Sequence, residues 1–130
     1  MSQIPILQVG PVLLVSIQVE LNDRLAGELQ ESVLTRIKET NAVGTLIDIT
    51  ALDLVDSFIG RVLNETARMA SIMNTKVVLV GMHPTVAITL LEMGLELDGI
   101  ETESDVEMGL RALGYELTEI DTRNGEAFPR

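Results

Sequence analysis

Asp48, Asp53 and Asp56 fall within nine residues of one another and run directly into Ser57, while a single histidine, His83, stands immediately before Pro84. Three carboxylates at that spacing could hold a hard divalent cation through oxygen ligands, so a small metal-using α/β enzyme is one reading of them. A plainer task for Asp53 and Asp56 is to cap a helix and oppose its dipole. Ser57 could serve as a cap or as the acceptor of a phosphoryl group. His83 as a base would need an orienting partner that no motif supplies, and it reads as a polar loop residue. With no cysteine and one histidine, the usual zinc ligand sets cannot form. Glycine-rich phosphate loops, HExxH and the GxSxG elbow are absent. Asn64-Glu65-Thr66 spells a glycosylation sequon, but it lies inside a helical pattern.

The elements that must position these residues are legible from periodicity. Residues 4–19 read as two short strands, rich in Ile, Leu and Val, with Gly10-Pro11 as the turn between them. Asn22 or Asp23 offers an N-cap, and Leu25, Leu29, Val33 and Ile37 then recur at helical spacing to about Thr40. Residues 44–49 form a compact apolar run with Asp48 as its last residue but one, the pattern of a buried strand. A loop follows, and a second helix is expected from Asp56 to Met73. Its apolar stripe is Phe58, Ile59, Val62, Leu63, Met69, Ala70 and Met73. Arg61, Asn64, Glu65 and Arg68 are assigned to its wet side, with Arg61–Glu65 and Glu65–Arg68 as side-chain pairs. A strand over 76–81, a helix from Pro84 to Leu91 stopped by Gly94, and a last helix over 105–113 capped by Ser104 complete the pattern. The order β-β-α-β-α-β-α-(β)-α implies an α/β domain in which helices pack on a small mixed sheet of about four strands, with four to five helices. Residues 1–115 are expected to form a single domain, and the charged residues 116–130 a flexible tail.

Composition narrows the function further. Twenty acids against nine bases give a net charge of -11, the wrong sign for neutralising nucleic-acid phosphates or for lying on an anionic membrane. Aromatic residues are 2% of the chain, too few for a base-stacking platform. No apolar run approaches the roughly 20 residues of a membrane helix, and the first residues lack the pattern of a signal peptide. A cytoplasmic location is expected. Seven of the acids fall between Glu92 and Glu107 without a base among them, which reads as a solvated face or a docking surface for a basic partner.

The stretch Asp48-Ile49-Thr50, Leu52, Val55, Asp56-Ser57, followed by an apolar helix, resembles the STAS family, the sulfate-transporter and anti-sigma-factor-antagonist domains. The order of elements agrees with that fold from about Ile4 to Leu113. Within the family, Val55-Asp56-Ser57-Phe58, Arg61-Val62-Leu63, Val80-Gly81-Met82 with Pro84, and 86–95 resemble the scaffold members of stressosome assemblies. Antagonists that act on sigma pathways carry D-S-S/T-G-L-G at the helix start; this chain reads Asp56-Ser57-Phe58-Ile59-Gly60-Arg61, a departure that favours the scaffold members.

The resemblance implies a non-enzymatic phosphoswitch without a cofactor. It implies self-association, co-assembly with STAS-containing sensor paralogues, and sequestration of a serine/threonine kinase of the histidine-kinase-like ATPase type. That kinase would phosphorylate Ser57 and leave, regulating a general stress response, and a serine phosphatase would reset the site. Asp56, Arg61, Asn64 and Glu65 are the accompanying contact candidates, and Phe58, Ile59 and Val62 are expected in the core. A soluble anti-sigma-factor antagonist that binds a sigma-directed kinase is the second reading.

Overall fold

The computed structural model describes residues 4–92, 94 and 100–115. The expectation of a charged tail over 116–130, and part of the acidic stretch after Glu92, lie outside the described residues.

The chain opens as a hairpin. Strand β1 (Ile6–Val9) and strand β2 (Val12–Ser16) pair antiparallel, Val9 opposite Val12. Gly10 takes φ 59°, the left-handed value that a two-residue hairpin asks of its first turn residue and that glycine adopts without a Cβ clash. Helix α1 (Asp23–Thr40) starts where Asn22 Oδ1 accepts from the Leu25 amide at 2.8 Å and ends at Asn41, left-handed at φ 53°. Its expected stripe of Leu25, Leu29, Val33 and Ile37 is buried throughout.

Strand β3 (Gly44–Asp48), helix α2 (Ser57–Ile72), strand β4 (Lys76–Val80), helix α3 (Pro84–Glu92), strand β5 (Ile100–Glu103) and helix α4 (Val106–Ala112) follow in alternation. The sheet has five strands in the order β1-β2-β3-β4-β5, antiparallel at β1/β2 and parallel elsewhere. The fifth strand is the one the sequence marks most faintly, since Ile100-Glu101-Thr102-Glu103 offers one buried residue. Ser104 does not cap the last helix. Asp105 does, its Oδ1 accepting from the Met108 amide at 2.9 Å, because a carboxylate one position nearer reaches the same free N–H.

Both faces of the sheet are covered, which is why β3 and β4 read as continuous apolar runs rather than alternating ones. Leu13, Val15, Ile47, Val77 and Leu79 pack with α1, α2 and the inner residues of α3. Val12, Leu46, Val78 and Val80 meet Leu110 of α4 on the opposite face. The α1–α2 seam carries one polar tie, in which Gln30 Nε2 donates to Thr66 Oγ1 at 3.1 Å while that hydroxyl donates to the Val62 carbonyl. The parallel strands thus all deliver their C-terminal ends to one rim, where the β3–α2 loop lies.

Candidate functional site

The site begins at Asp48, the last residue of β3. Its Oδ1 accepts from the Thr50 amide at 2.9 Å and from the Thr50 hydroxyl at 2.6 Å, a local turn that bends the chain away from the sheet. The loop is then pinned from inside by Leu52 and Val55, 1% and 3% exposed. Between them Asp53 and Leu54 point outward.

Asp56 ends the loop and caps α2: its Oδ1 accepts from the Ile59 amide at 2.8 Å, and its carbonyl accepts from the Gly60 amide. Ser57 is therefore the first helical residue and not the cap. Its side chain is half-buried and makes no hydrogen bond among the described residues. The positive end of the α2 dipole and its unpaired first-turn N–H groups lie beside it.

A second segment reaches the same rim from β4. The His83 ring lies with Nε2 2.6 Å from the Thr50 carbonyl; a carbonyl can only accept, so Nε2 carries the proton and donates. Asp53 Oδ1 sits 3.9 Å from the same nitrogen. Gly81, at φ 77°, makes this approach feasible, because a Cβ there would lie 1.9 Å from Thr50 Oγ1. His83 is thus more than a polar loop residue: it ties the turn before α3 to the loop that ends at Ser57. A glycine just past a strand end was the one local signal of such a crowded crossing.

The three carboxylates do not converge. Asp48 is engaged by Thr50, Asp53 faces His83, and Asp56 is turned onto its own helix. Among the described residues no three acidic or histidine side chains are grouped as a metal site would require. Asp56 fulfils the capping role open to it, whereas Asp53 caps nothing.

Along α2 the structure departs from the expected stripe. The buried positions are Ile59, Gly60, Leu63, Thr66, Ala67 and Ala70. With 100° per residue, Phe58 and Met69 fall outside that arc, and Phe58 is 41% exposed rather than part of the core. Met73 is exposed as well. Leu63 and Ala70 are buried as expected, and Gly60, Thr66 and Ala67 fill the rest of the buried arc in place of the larger Phe58 and Met69. Ile59 is buried and Val62 half-buried against the core, as expected. Arg61 and Glu65 are exposed on the Ser57 side of the helix. Asn64 is half-buried, with an enclosed Oδ1 that has no partner, and so is not a freely wet residue. The expected Arg61–Glu65 and Glu65–Arg68 pairs are not formed among the described residues.

The fold and this rim can be compared with known proteins. Residues 3–108 match the STAS domain family. The chain belongs to the STAS family. This STAS domain is similar to Moorella thermoacetica RsbS, solved as a serine-to-glutamate variant. The two are 40% identical, with a TM-score of 0.78 over 87% of this chain and 96% of that one. It is also similar to a chain in the solved molecular architecture of the stressosome, a signal integration and transduction hub. There the identity is 42% and the TM-score 0.74, covering 85% of this chain and 96% of that chain. A further relative is the RsbT co-antagonist protein RsbRA of Bacillus subtilis (strain 168), 23% identical over 86 residues, which are 66% of this chain. The STAS domain described here spans 31% of RsbRA's length. The likeness to RsbS and to the stressosome chain thus extends over 87% and 85% of this chain, well beyond residues 55–63 and 80–95. No helix among the described residues is long and apolar enough to cross a membrane.

Proposed function

We propose that this STAS domain is a non-enzymatic scaffold of a stressosome-like assembly and a phosphoswitch whose acceptor is Ser57. The observation that carries the reading is the division of labour at the start of α2: Asp56 caps the helix, which leaves the Ser57 hydroxyl unbonded at an accessible rim. Leu54 and Phe58, 79% and 41% exposed, flank it as apolar contact surface. Likeness to RsbS and to a stressosome chain supports the assembly part of the reading. Likeness to RsbRA supports STAS-containing sensor paralogues as the co-assembling partners.

The partner at the rim is a serine/threonine kinase of the histidine-kinase-like ATPase type, held on Leu54, Ser57, Phe58 and Arg61. Phosphorylation adds nearly two negative charges at Ser57. The helix end tolerates that charge, but a desolvated contact that has no partner for it does not, so the kinase leaves. A serine phosphatase restores the starting state. The chain needs no cofactor in this cycle and acts in the cytoplasm, with residues 1–115 as the STAS unit.

The test is to incubate wild-type and Ser57→Ala chains with ATP in an extract of the native host and map phosphate by mass spectrometry. Phosphate on Ser57 that is missing from the variant is the expected result. A chain left unmodified by an extract with demonstrably active kinases would overturn the switch.

A further inference from the structure

We propose that residues 116–130 fold back onto the β1–β2 half of the sheet face that α4 leaves open, with Leu117 and Ile120 as the apolar anchors. The inference goes beyond the reading above and does not rest on Ser57.

The first observation is a half-covered face. Val12, Leu46, Val78 and Val80 line it, and among the described residues Val106, Leu110, Leu113 and Tyr115 pack on them from α4 and the turn after it. Helix α4 sits directly over β3 and β4: a Cβ on Gly109 would lie 2.8 Å from both Leu46 Cδ2 and Val80 Cγ1. Leu7 and Val9 of β1 lie opposite Leu14 and Val12 and so share this face. Leu7 is 57% exposed, Val9 37% exposed and Leu14 half-buried. Apolar side chains side by side on two adjacent strands make the kind of contiguous patch that a bound segment covers.

The second observation is where α4 delivers the chain. Leu113 lies over Gly44, where an added Cβ would meet Leu113 Cδ1 at 2.6 Å. The Gly114 amide then donates to the Arg111 carbonyl at 2.9 Å, and the Tyr115 amide to the Leu110 carbonyl at 2.8 Å. That pair of bonds turns the chain back against its own helix. Tyr115 consequently packs on the cluster that holds Val12, and the segment that follows starts from the face itself. Gly44 pairs with Val12, and Val12 with Val9, so β1 is two strand spacings away, roughly 10 Å. Extended chain from Tyr115 to Leu117 and to Ile120 spans up to roughly 7 and 18 Å, enough to bring the two over Val9 and Leu7.

The third observation is electrostatic. Residues 116–130 carry four acids and two bases, and the whole chain has a net charge of -11, so most of the surface repels the segment. Residues 1–19, which supply β1 and β2, contain no ionisable side chain. The opposite flank of the same face carries Glu101 and Glu103 of β5, partners of Val78 and Val80. An acidic segment with apolar residues at 117 and 120 thus finds its uncharged, apolar place on the hairpin. A second copy would bring its own net charge to the contact, whereas tethering holds the segment at an effective concentration of about millimolar.

The chain has no cysteine, so one introduced thiol reports one position. The experiment alkylates the full chain carrying Leu7→Cys with iodoacetamide, alone and combined with Leu117→Ser and Ile120→Ser, over a protein concentration series. Ile72→Cys, at an 83% exposed position of α2, is the reference in both backgrounds. Leu7→Cys alone is expected to react at least about tenfold more slowly than with the two serines present, at every concentration, while Ile72→Cys reacts equally in both. Equal Leu7→Cys rates in the two backgrounds would leave the segment off the face and overturn the proposal. Protection that rises with protein concentration would also overturn it and assign the face to a second copy. So would protection that appears only when a STAS paralogue is added. A changed Ile72→Cys rate would overturn it as well, since the serines would then act on the whole domain.

Discussion

His83 donates from Nε2 to the carbonyl of Thr50 at 2.6 Å, a contact between residues 33 positions apart. It joins the turn after β4 to the loop after β3, and that loop ends at Asp56 and Ser57. The rim carrying Ser57 is thus held at three points: the Asp48–Thr50 turn, the buried side chains of Leu52 and Val55, and the His83 tie.

Removing the tie should loosen the loop more than it destabilises the fold. The Thr50 carbonyl is at an exposed position and can turn to water, so His83→Ala should cost about 1 kcal/mol in urea unfolding. Amides of residues 50–55 should exchange faster in native buffer, while those of β3 and β4 remain unchanged. Uniform loss of protection across the sheet would show that His83 acts on the whole domain instead.

Gly81→Ala is expected to be harsher. An L side chain at φ 77° is strained by roughly 1–2 kcal/mol, and the added Cβ would collide with Thr50 Oγ1. Thr50→Ala removes the worst part of the second penalty, leaving the Thr50 Cβ and Cα at 3.0 and 3.1 Å from the added atom, and does not touch the first. A double-mutant cycle on unfolding free energies should therefore show Thr50→Ala rescuing part of the Gly81→Ala loss. Strict additivity would mean that the crowding is relieved elsewhere.

How much of this was legible beforehand differs by element, and for physical reasons. In α1 one stripe faces one surface, so Asn22 and the Leu25-Leu29-Val33-Ile37 ladder declare both its start and its buried side. In α2 the pattern held for Ile59, Leu63 and Ala70 and misled elsewhere, because Gly60, Thr66 and Ala67 share the buried arc while Phe58 and Met69 are left outside it. Hydrophobicity counts large residues, and close helix packing selects small ones. Strand β5 was faint since Glu101 and Glu103 belong to an exposed edge. The Ser57 rim was located by a local pattern, strand end to helix start. The His83–Thr50 tie was not, because the stagger of adjacent parallel strands sets it and no spacing along the chain encodes it.

The two residues at the start of α2 should separate cleanly in stability. Asp56→Ala removes the side chain that satisfies the Ile59 amide and should cost about 1 kcal/mol, within the usual range of roughly 0.5–2. Ser57→Ala removes a hydroxyl that bonds nothing among the described residues, and should change stability by no more than about 0.5 kcal/mol. Thermal and urea unfolding of both variants would decide. A loss at Ser57 equal to that at Asp56 would make the serine a structural residue and weaken its assignment as the acceptor.

Leu52 and Leu54 belong to one loop and face opposite ways, 1% and 79% exposed. Leu52→Ala should empty a core position and cost about 2–5 kcal/mol. Leu54→Ala should leave the melting temperature nearly unchanged, since that side chain is already in water. Its expected effect lies in binding: if Leu54 and Phe58 form the apolar centre of the kinase contact, Leu54→Ala and Phe58→Ala should each weaken capture of the kinase by about tenfold or more, as truncated interface anchors do. Ser57→Asp should weaken it by a different route, a charge placed in the same contact, and its effect should shrink once the apolar anchors are gone. Titration calorimetry with the purified kinase on the three single variants and the Leu54→Ala/Ser57→Asp double variant would measure that coupling. Additive losses would place the serine and the leucine in separate contacts, and kinase affinity unchanged by all of them would remove the α2 rim from the interface.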